Sequence, residues 1–505
     1  MIDLKRLAKA YAIAKDNLLQ ERNKEGHWVG QLSTSALSTA TAVSALSAVQ
    51  KATGNRDYQK WINGGIQWLA ENQNPDGGWG DTRKSYSNIS TTLLVIAAVH
   101  FAEQQNDLQS QLVQAEQYVQ EQGGIPGLRK RYGNDKTFAV PILANCAMAG
   151  TQDWNEVAAF PFEAACVSQK FYHLMQLPVV SYAIPALVAI GQAKYFHDPP
   201  WNPILRFVRH CTVKRSAQVL ERMQPASGGF LEAIPLTSFV VMGLATTGRA
   251  KHPVVNKGIE FIQKSTLSDG SWPIDTNLAT WNTTLSINAL SSELNGLSQT
   301  SVTLAGLSCT DWILNCQNKS VHPFTHSPPG GWGWTDLSGA VPDADDTPGA
   351  LLALSNLKKH GNCSDDQKQK IQQAATLGID WLLRLQNRDN GWPTFCRGWG
   401  KFPFDRSGPD ITAHCLRGIY CWRHEIDTQA NKMDRAITKG LQYLNKTQQA
   451  NGSWLPLWFG NQDHPQEENP IYGTSRVLKA FSELDLIETS AAKRGIAWLA
   501  DSQNL

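Results

Sequence analysis

Three carboxylates fall within four residues in the run Pro342-Asp343-Ala344-Asp345-Asp346-Thr347-Pro348-Gly349, directly ahead of the apolar stretch Ala350-Leu-Leu-Ala-Leu354. Part of this pattern is ordinary helix initiation. Thr347 reads as an N-cap, Pro348 as the first helical residue, and acidic groups are favoured at the positive end of the helix dipole. One cap does not need three acids, however. Like charges crowded at the mouth of a buried helix raise the pKa of at least one of them, and a proton kept there is available for donation. The chemistry to expect is therefore general-acid chemistry. The dense candidates for a zinc site are His414-Cys415 and Cys421-Trp-Arg-His424, and they share one predicted helix, a weak arrangement for tetrahedral ligation.

The elements that must position these acids repeat along the chain. One unit recurs as Gly65-Ile-Gln-Trp68-Leu, Gly258-Ile-Glu-Phe261-Ile, Asp311-Trp312-Ile-Leu, Gly378-Ile-Asp-Trp381-Leu, Gly440-Leu-Gln-Tyr443-Leu and Gly495-Ile-Ala-Trp498-Leu. Five residues after each aromatic stands Gln73, Thr266, Gln317, Gln386, Gln448 or Gln503, with Thr266 the exception to Gln. A Gly/Asn-rich turn carrying a Trp usually follows, as in Gln73-Asn-Pro-Asp-Gly77-Gly-Trp79 and Gln448-Gln-Ala-Asn-Gly452-Ser-Trp454. The unit reads as an amphipathic helix ending near the Gln, whose amide is expected to donate to the last unpaired carbonyls, with the indole stacking across the turn. A second, almost wholly apolar helix then starts from a polar cap, as in Ser90-Thr-Thr-Leu-Leu-Val-Ile-Ala-Ala-Val99 and Thr283-Thr-Leu-Ser-Ile-Asn-Ala-Leu290.

Alternation of the two helix types predicts concentric rings, amphipathic helices outside and apolar ones inside. The fold class expected is all-α, an α/α toroid, and no strands are evident. Nine inner helices are predicted, starting near residues 35, 87, 138, 180, 234, 281, 347, 411 and 473. We expect residues 1–505 to form one helical toroid unit, a six-hairpin catalytic barrel with extra helices at about 106–250. The ends would close on each other, because the chain stops where a turn Trp should follow and Glu25-Gly26-His27-Trp28 would continue that unit. The alternative is two halves, 25–250 and 251–505.

Composition narrows the function classes. The 46 Lys+Arg balance 44 Asp+Glu, which argues against a nucleic-acid partner, since that would need a basic stripe. Nine Cys without a CxxC pair read as reduced thiols of a cytoplasmic protein. Residues 1–25 lack the apolar core and cleavage site of a signal peptide, and residues 179–191, the longest apolar candidate, are interrupted by Ser181, Tyr182 and Pro185. The expectation is a soluble, cytoplasmic chain, at most peripheral to a membrane, with residues 160–196 as the region to suspect.

The sequence DADDT resembles the DxDDT motif of class II terpene cyclases, and the Gln…Gly-x-Trp units resemble the QW repeats of the squalene–hopene cyclase type. The likeness is colinear from about Glu25 to the C-terminus and includes Gln122-Gly-Gly124 and Asp153-Trp154…Pro161-Phe-Glu163. Relative to the family, about two C-terminal repeats are lacking. The resemblance implies that Asp345 donates the proton while Asp343 and Asp346 tune its environment. Asp410-Ile-Thr-Ala-His414 matches the segment whose His faces the acid, so His414 is implied to orient and polarise it. Tyr472 of Ile471-Tyr-Gly-Thr474 matches a tyrosine near the acid. Trp281, Trp334, Phe395 and Trp458 match cation-stabilising aromatics, and Trp399, Phe402 and Phe404 are further candidates.

In the implied reaction, the acid protonates a terminal trisubstituted alkene and ring closures carry the resulting cation along a prefolded polyene. Carboxylates lining that path would be alkylated. Aromatic faces stabilise cations by about 2 kcal/mol or more each when desolvated, without acting as strong nucleophiles. Neither an organic cofactor nor a metal is required, and the DDxxD motif of class I synthases and a Walker-type loop are both missing from the sequence. The partner implied is a hydrophobic polyprenyl small molecule. The shortened repeat set and the long polar segment 453–469 favour a prenylated aromatic acid cyclised to a meroterpenoid, as in reduced, single-domain members of the family. The alternatives are squalene cyclisation to a hopanoid-type triterpene and, outside enzymes, an isoprenoid-binding toroid. Protein prenyl transfer would need the zinc set dismissed above. A six-hairpin glycosidase would need two separated carboxylates and would leave the repeats unexplained.

Overall fold

A computed structural model describes residues 3–133, 136–175, 177–291 and 300–503. It is almost wholly helical; the one strand pair named among the described residues joins Trp392–Pro393 to Ser407–Gly408 in antiparallel register. Nine apolar helices occupy the predicted inner positions: Ala36–Thr53, Ile89–Phe101, Lys136–Ala149, Val179–His197, Ile234–Leu244, Ala279–Leu290, Asp346–His360, Pro409–Tyr420 and Pro470–Glu483. The first five pack neighbour to neighbour, and Ile234–Leu244 returns against Ala36–Thr53 to close a ring. The last four form an arc in which each packs on the next. Burial follows the same division, with one core drawn from residues 36–272 and another from Trp28 and residues 287–492.

The turns that join outer to inner helices repeat one set of hydrogen bonds. Each turn indole donates Nε1–H to a carbonyl in the last turn of its outer helix: Trp79 to Leu69 (2.8 Å), Trp272 to Ile262 (2.7 Å), Trp392 to Leu382 (2.8 Å) and Trp454 to Leu444 (2.7 Å). The backbone N–H of the same Trp donates to a threonine hydroxyl on the following inner helix, Thr92, Thr39, Thr412 and Thr474 respectively. The indole thus satisfies the orphan carbonyl that was expected to receive the Gln amide. The Gln side chains reach elsewhere. Gln386 donates to Asn390 O and to Ala436 O of the next outer helix, and Gln448 to Gly452 O and Ala491 O. One amide carries two N–H groups, enough to staple a turn to the neighbouring unit.

These bonds also reveal how the chain is threaded. Trp28 Nε1–H donates to Leu18 O, and its backbone N–H to Thr283 of the inner helix Ala279–Leu290. The first helix, Leu4–Gln20, therefore serves as an outer helix of the second core, and the Trp28 turn is completed by Leu18 and Thr283. Trp272, at the end of the first core, serves Thr39 near that core's beginning. The two connecting strands of chain lie side by side, with Leu32 N–H donating to Asp275 O and Leu278 N–H to Gly30 O.

One sequence expectation is corrected. Residues 179–191 are not broken: Val179–His197 is a single helix of 19 residues with Pro185 inside it, long and apolar enough by length and composition to cross a membrane. Two-thirds of its apolar window is buried against the first ring, which makes it a core helix, and that packing offsets the backbone hydrogen bond lost at the proline.

Candidate active site

The motif sits where the helix Asp346–His360 begins, and its three carboxylates differ in their partners. Asp343 Oδ1 accepts the backbone N–H groups of Asp345 (2.9 Å) and Asp346 (2.7 Å), so Asp343 performs the capping. Thr347, the expected N-cap, instead exchanges hydrogen bonds with the backbone of Trp332, and the helix begins two residues earlier than the cap reading placed it. This division of labour leaves the Asp345 side chain free of capping duty. Asp346 is buried beneath, its two carboxylate oxygens accepting no hydrogen bond from a protein donor.

Burial governs the protonation of the cluster. Desolvation pushes Asp345 up to about 7; the Arg476 guanidinium pulls it down and the Asp410 carboxylate pushes it further up. Asp343 is also raised to about 7, and burial together with Asp343 and Asp345 holds Asp346 well above the usual carboxylate range. His414 stands on the helix Pro409–Tyr420, with Nε2 3.9 Å from Asp345 Oδ1, beyond hydrogen-bond length. Burial, with the Arg476 and Arg417 charges, holds His414 well below its usual pKa. Burial thus weakens His414 as a base while it strengthens the hold of Asp345 on its proton, which favours the proton on the carboxyl group. Close approach is possible because a Cβ at Gly349 would stand 3.2 Å from Thr284 Oγ1 and 3.6 Å from His414 Nε2.

Tyr472, at the start of Pro470–Glu483, is pushed up to about 12 by burial, with the Arg476 guanidinium opposing. Its ring lies 4.7 Å from Phe459 and 5.4 Å from Arg476 Cζ. Trp281 faces Phe459 at 6.4 Å, and its backbone N–H donates to Trp334 O. A second group of rings lies beside this one. Trp458, whose indole donates to Thr394 Oγ1, contacts Phe404 at 6.3 Å; Phe404 contacts Phe395 at 6.0 Å; and Phe395 contacts Trp334 at 6.3 Å and Tyr182 at 5.6 Å. The structure thus brings Asp343, Asp345, Asp346, His414 and Tyr472 together, with Trp281 in the first group of rings and Trp334, Phe395 and Trp458 in the second; Asp345 acts electrostatically on Tyr472 of the first group and Asp343 on Tyr182 of the second. Of the further candidates, Phe402 and Phe404 join this cluster, while Trp399 is largely exposed beside Phe402.

Sequence reasoning missed three members. Phe459 follows Trp458 directly, and Arg476 lies one helical turn beyond Tyr472, a spacing that places both on one face. Tyr182 comes from the first core, more than 150 residues before the motif, and no local pattern marks it. Among the described residues no group of three His, Cys, Asp or Glu side chains converges as a metal site. Cys415 Sγ instead donates to Ala344 O.

Comparison with known proteins agrees with this arrangement. The profile for the squalene-hopene cyclase C-terminal domain matches residues 278–505, and that for the N-terminal domain matches residues 12–190. The chain belongs to the squalene–hopene cyclase family. It is 24% identical to enfumafungin synthase of Hormonema carpetanum over 97% of this chain and 41% of that one. It is 22% identical to the squalene–hopene cyclase of Alicyclobacillus acidocaldarius, covering 94% of this chain and 79% of that one. The chain spans about two-fifths of the length of its first two curated relatives, both fungal. Among solved structures, ent-copalyl diphosphate synthase from Streptomyces platensis superposes with a TM-score of 0.51 at 15% identity, covering 98% of this chain and 83% of that one, a likeness of fold.

Proposed function

We propose that this chain is a class II terpene cyclase, which isomerises a linear polyprenyl chain to a polycyclic product by protonating a terminal alkene and passing the cation along the aromatic side chains. One observation carries the reading: Asp345, raised to about 7 and free of capping duty, stands beside Tyr472, whose ring meets Phe459. Asp343 fixes the loop, Asp346 remains protonated below, and His414 and Tyr472 flank the acid. In the proton transfer, the Asp345 O–H bond breaks, the alkene electron pair forms the new C–H bond, and the tertiary cation meets the faces of Trp281, Trp334, Phe395 and Trp458.

The substrate we favour is a prenylated aromatic acid, because the polar segment 461–469 adjoins the aromatic site at Phe459; squalene is the alternative. The test is incubation with squalene, geranylgeranyl diphosphate and a geranylgeranylated hydroxybenzoate, without added metal, followed by mass spectrometry for products of unchanged mass. Asp345→Asn keeps the size of the side chain and removes the proton, so turnover should fall by about 10²-fold or more with folding intact. Full activity in Asp345→Asn would refute the mechanism.

A peripheral membrane contact also belongs to this reading. Large apolar side chains are exposed at Phe171, Leu174, Met175, Trp201, Ile204 and Phe207, with Trp201 98% exposed, and Lys170, Arg206 and Lys214 are exposed among them. Apolar side chains flanked by basic ones fit an anionic lipid surface, where a greasy substrate would be dissolved.

A further inference from the structure

Beside the second group of rings lie two further carboxylates, Glu232 and Asp275, on neighbouring stretches of chain joined by the bridge Ala233–Asp275. Glu232 is fully buried; Oε1 accepts the Ser227 hydroxyl (2.6 Å) and the Gly339 N–H (2.8 Å), while Oε2 has no hydrogen-bond partner. Its side chain lines a polar pocket of about 470 Å³ with Ser227, Lys257, Lys264 and Asn277. The preceding Leu231 packs against the cluster of Val179, Tyr182, Val341 and Cys396, on which Trp334 and Phe395 also pack, and lines an apolar cleft with Tyr182, Thr325 and Val341. The backbone is strained to achieve this placement, since Leu231 and Glu232 both adopt positive φ (53° and 52°). Such strain in consecutive non-glycine residues persists where the surroundings enforce it. Gly339 is required as well, because a Cβ there would lie 2.4 Å from Glu232 Oε1.

Resting on the cyclase reading above, we propose that Glu232 is the base that ends the cyclisation. A C–H bond beside the last cation breaks, its electron pair becomes the product alkene, and the proton passes to Glu232 Oε2 and on through the polar pocket to solvent. Burial raises Glu232, and burial together with the Glu232 charge raises Asp275 to about 7. The other charged groups facing the pair are Asp336 and, across the pocket, Lys257, Glu260 and Lys264.

The experiment compares the full chain with Glu232→Gln and Glu232→Asp on the three polyprenes named above. A positioned base contributes on the order of 10²–10⁴-fold. Glu232→Gln should therefore still consume substrate but release products that have gained one water or stopped at fewer rings, and Glu232→Asp should restore the alkene. A Glu232→Gln enzyme whose products are unchanged overturns the proposal, whatever its rate. Should Glu232→Gln fail to fold, Glu232→Leu, which also lacks the base, carries the same test, and unchanged products overturn the proposal. A wild-type chain inert towards all three polyprenes overturns the cyclase reading too; an active wild type with unchanged variant products overturns this proposal alone.

Discussion

At the scale of single residues, the acid's environment decides when it can act. On the proposed mechanism initiation needs Asp345 protonated, and its pKa is raised to about 7, so the rate should be flat in acid and fall about tenfold per pH unit above neutrality. Arg476 is the cation that lowers this acid. Arg476→Met should therefore move the falling limb to higher pH, which a pH–rate profile of both proteins measures; an unshifted limb would show that Arg476 does not set the acid. The three Asp residues were legible in the sequence because three acids exceed the needs of one cap. Which of them capped was not legible, since Asp343 and Thr347 are both sound N-terminal acceptors and only the pairing of Thr347 with Trp332 separates them. Tyr182 and Glu232 were invisible for another reason: Phe395 and Gly339, which they meet, lie more than 100 residues away, and no spacing encodes such a distance.

At the scale of elements, the same residue type serves two purposes. Trp454 and Trp458 are four residues apart, yet the first is buried with its indole bonded to Leu444 O, while the second is 38% exposed beside Phe404. Trp454→Phe keeps a ring but leaves a buried carbonyl short of a donor, costing about 1–3 kcal/mol, and should lower the urea midpoint without changing the product. Trp458→Phe should do the reverse, altering the product mixture with little loss of stability. Denaturation and product analysis of the two variants check the pair together. The helix starts were readable because apolar runs after Gly-rich turns carry a strong signal, and all nine inner helices lie where that signal placed them. The Gln staples were not, because their acceptors lie on the next outer helix, 43 and 50 residues away for Gln448 and Gln386.

At the scale of the whole molecule, the two cores meet at the site. Tyr182 of the first joins the rings of the second, and segment 461–469 is tied back to the first core by Tyr86 OH to Asp463 (2.7 Å) and Arg131 to Glu467 (2.9 Å). The exposed apolar side chains between residues 167 and 208 belong to the first core's periphery and, on our reading, orient the molecule on lipid. Trp201→Glu with Phe207→Glu should weaken sedimentation with anionic vesicles while leaving conversion of detergent-dispersed substrate unchanged. Equal sedimentation of variant and wild type would remove the membrane from the account.

The threading of Trp28 onto Thr283 has a consequence for how the chain is made. Trp28 leaves the ribosome 255 residues ahead of the threonine that completes its turn. A helix of 17 residues is marginal alone in water, so Leu18, Leu19 and Trp28 must wait without a core while the first ring is synthesised. Closing a loop of that length directly would cost about 5 kcal/mol in chain entropy. The first ring removes most of this cost by folding: the bonds from Leu32 to Asp275 and from Leu278 to Gly30 bring the entry and exit of the ring together. Synthesis order and fold then agree, with the ring made in the middle of the chain acting as the clasp that returns the earliest residues to the latest.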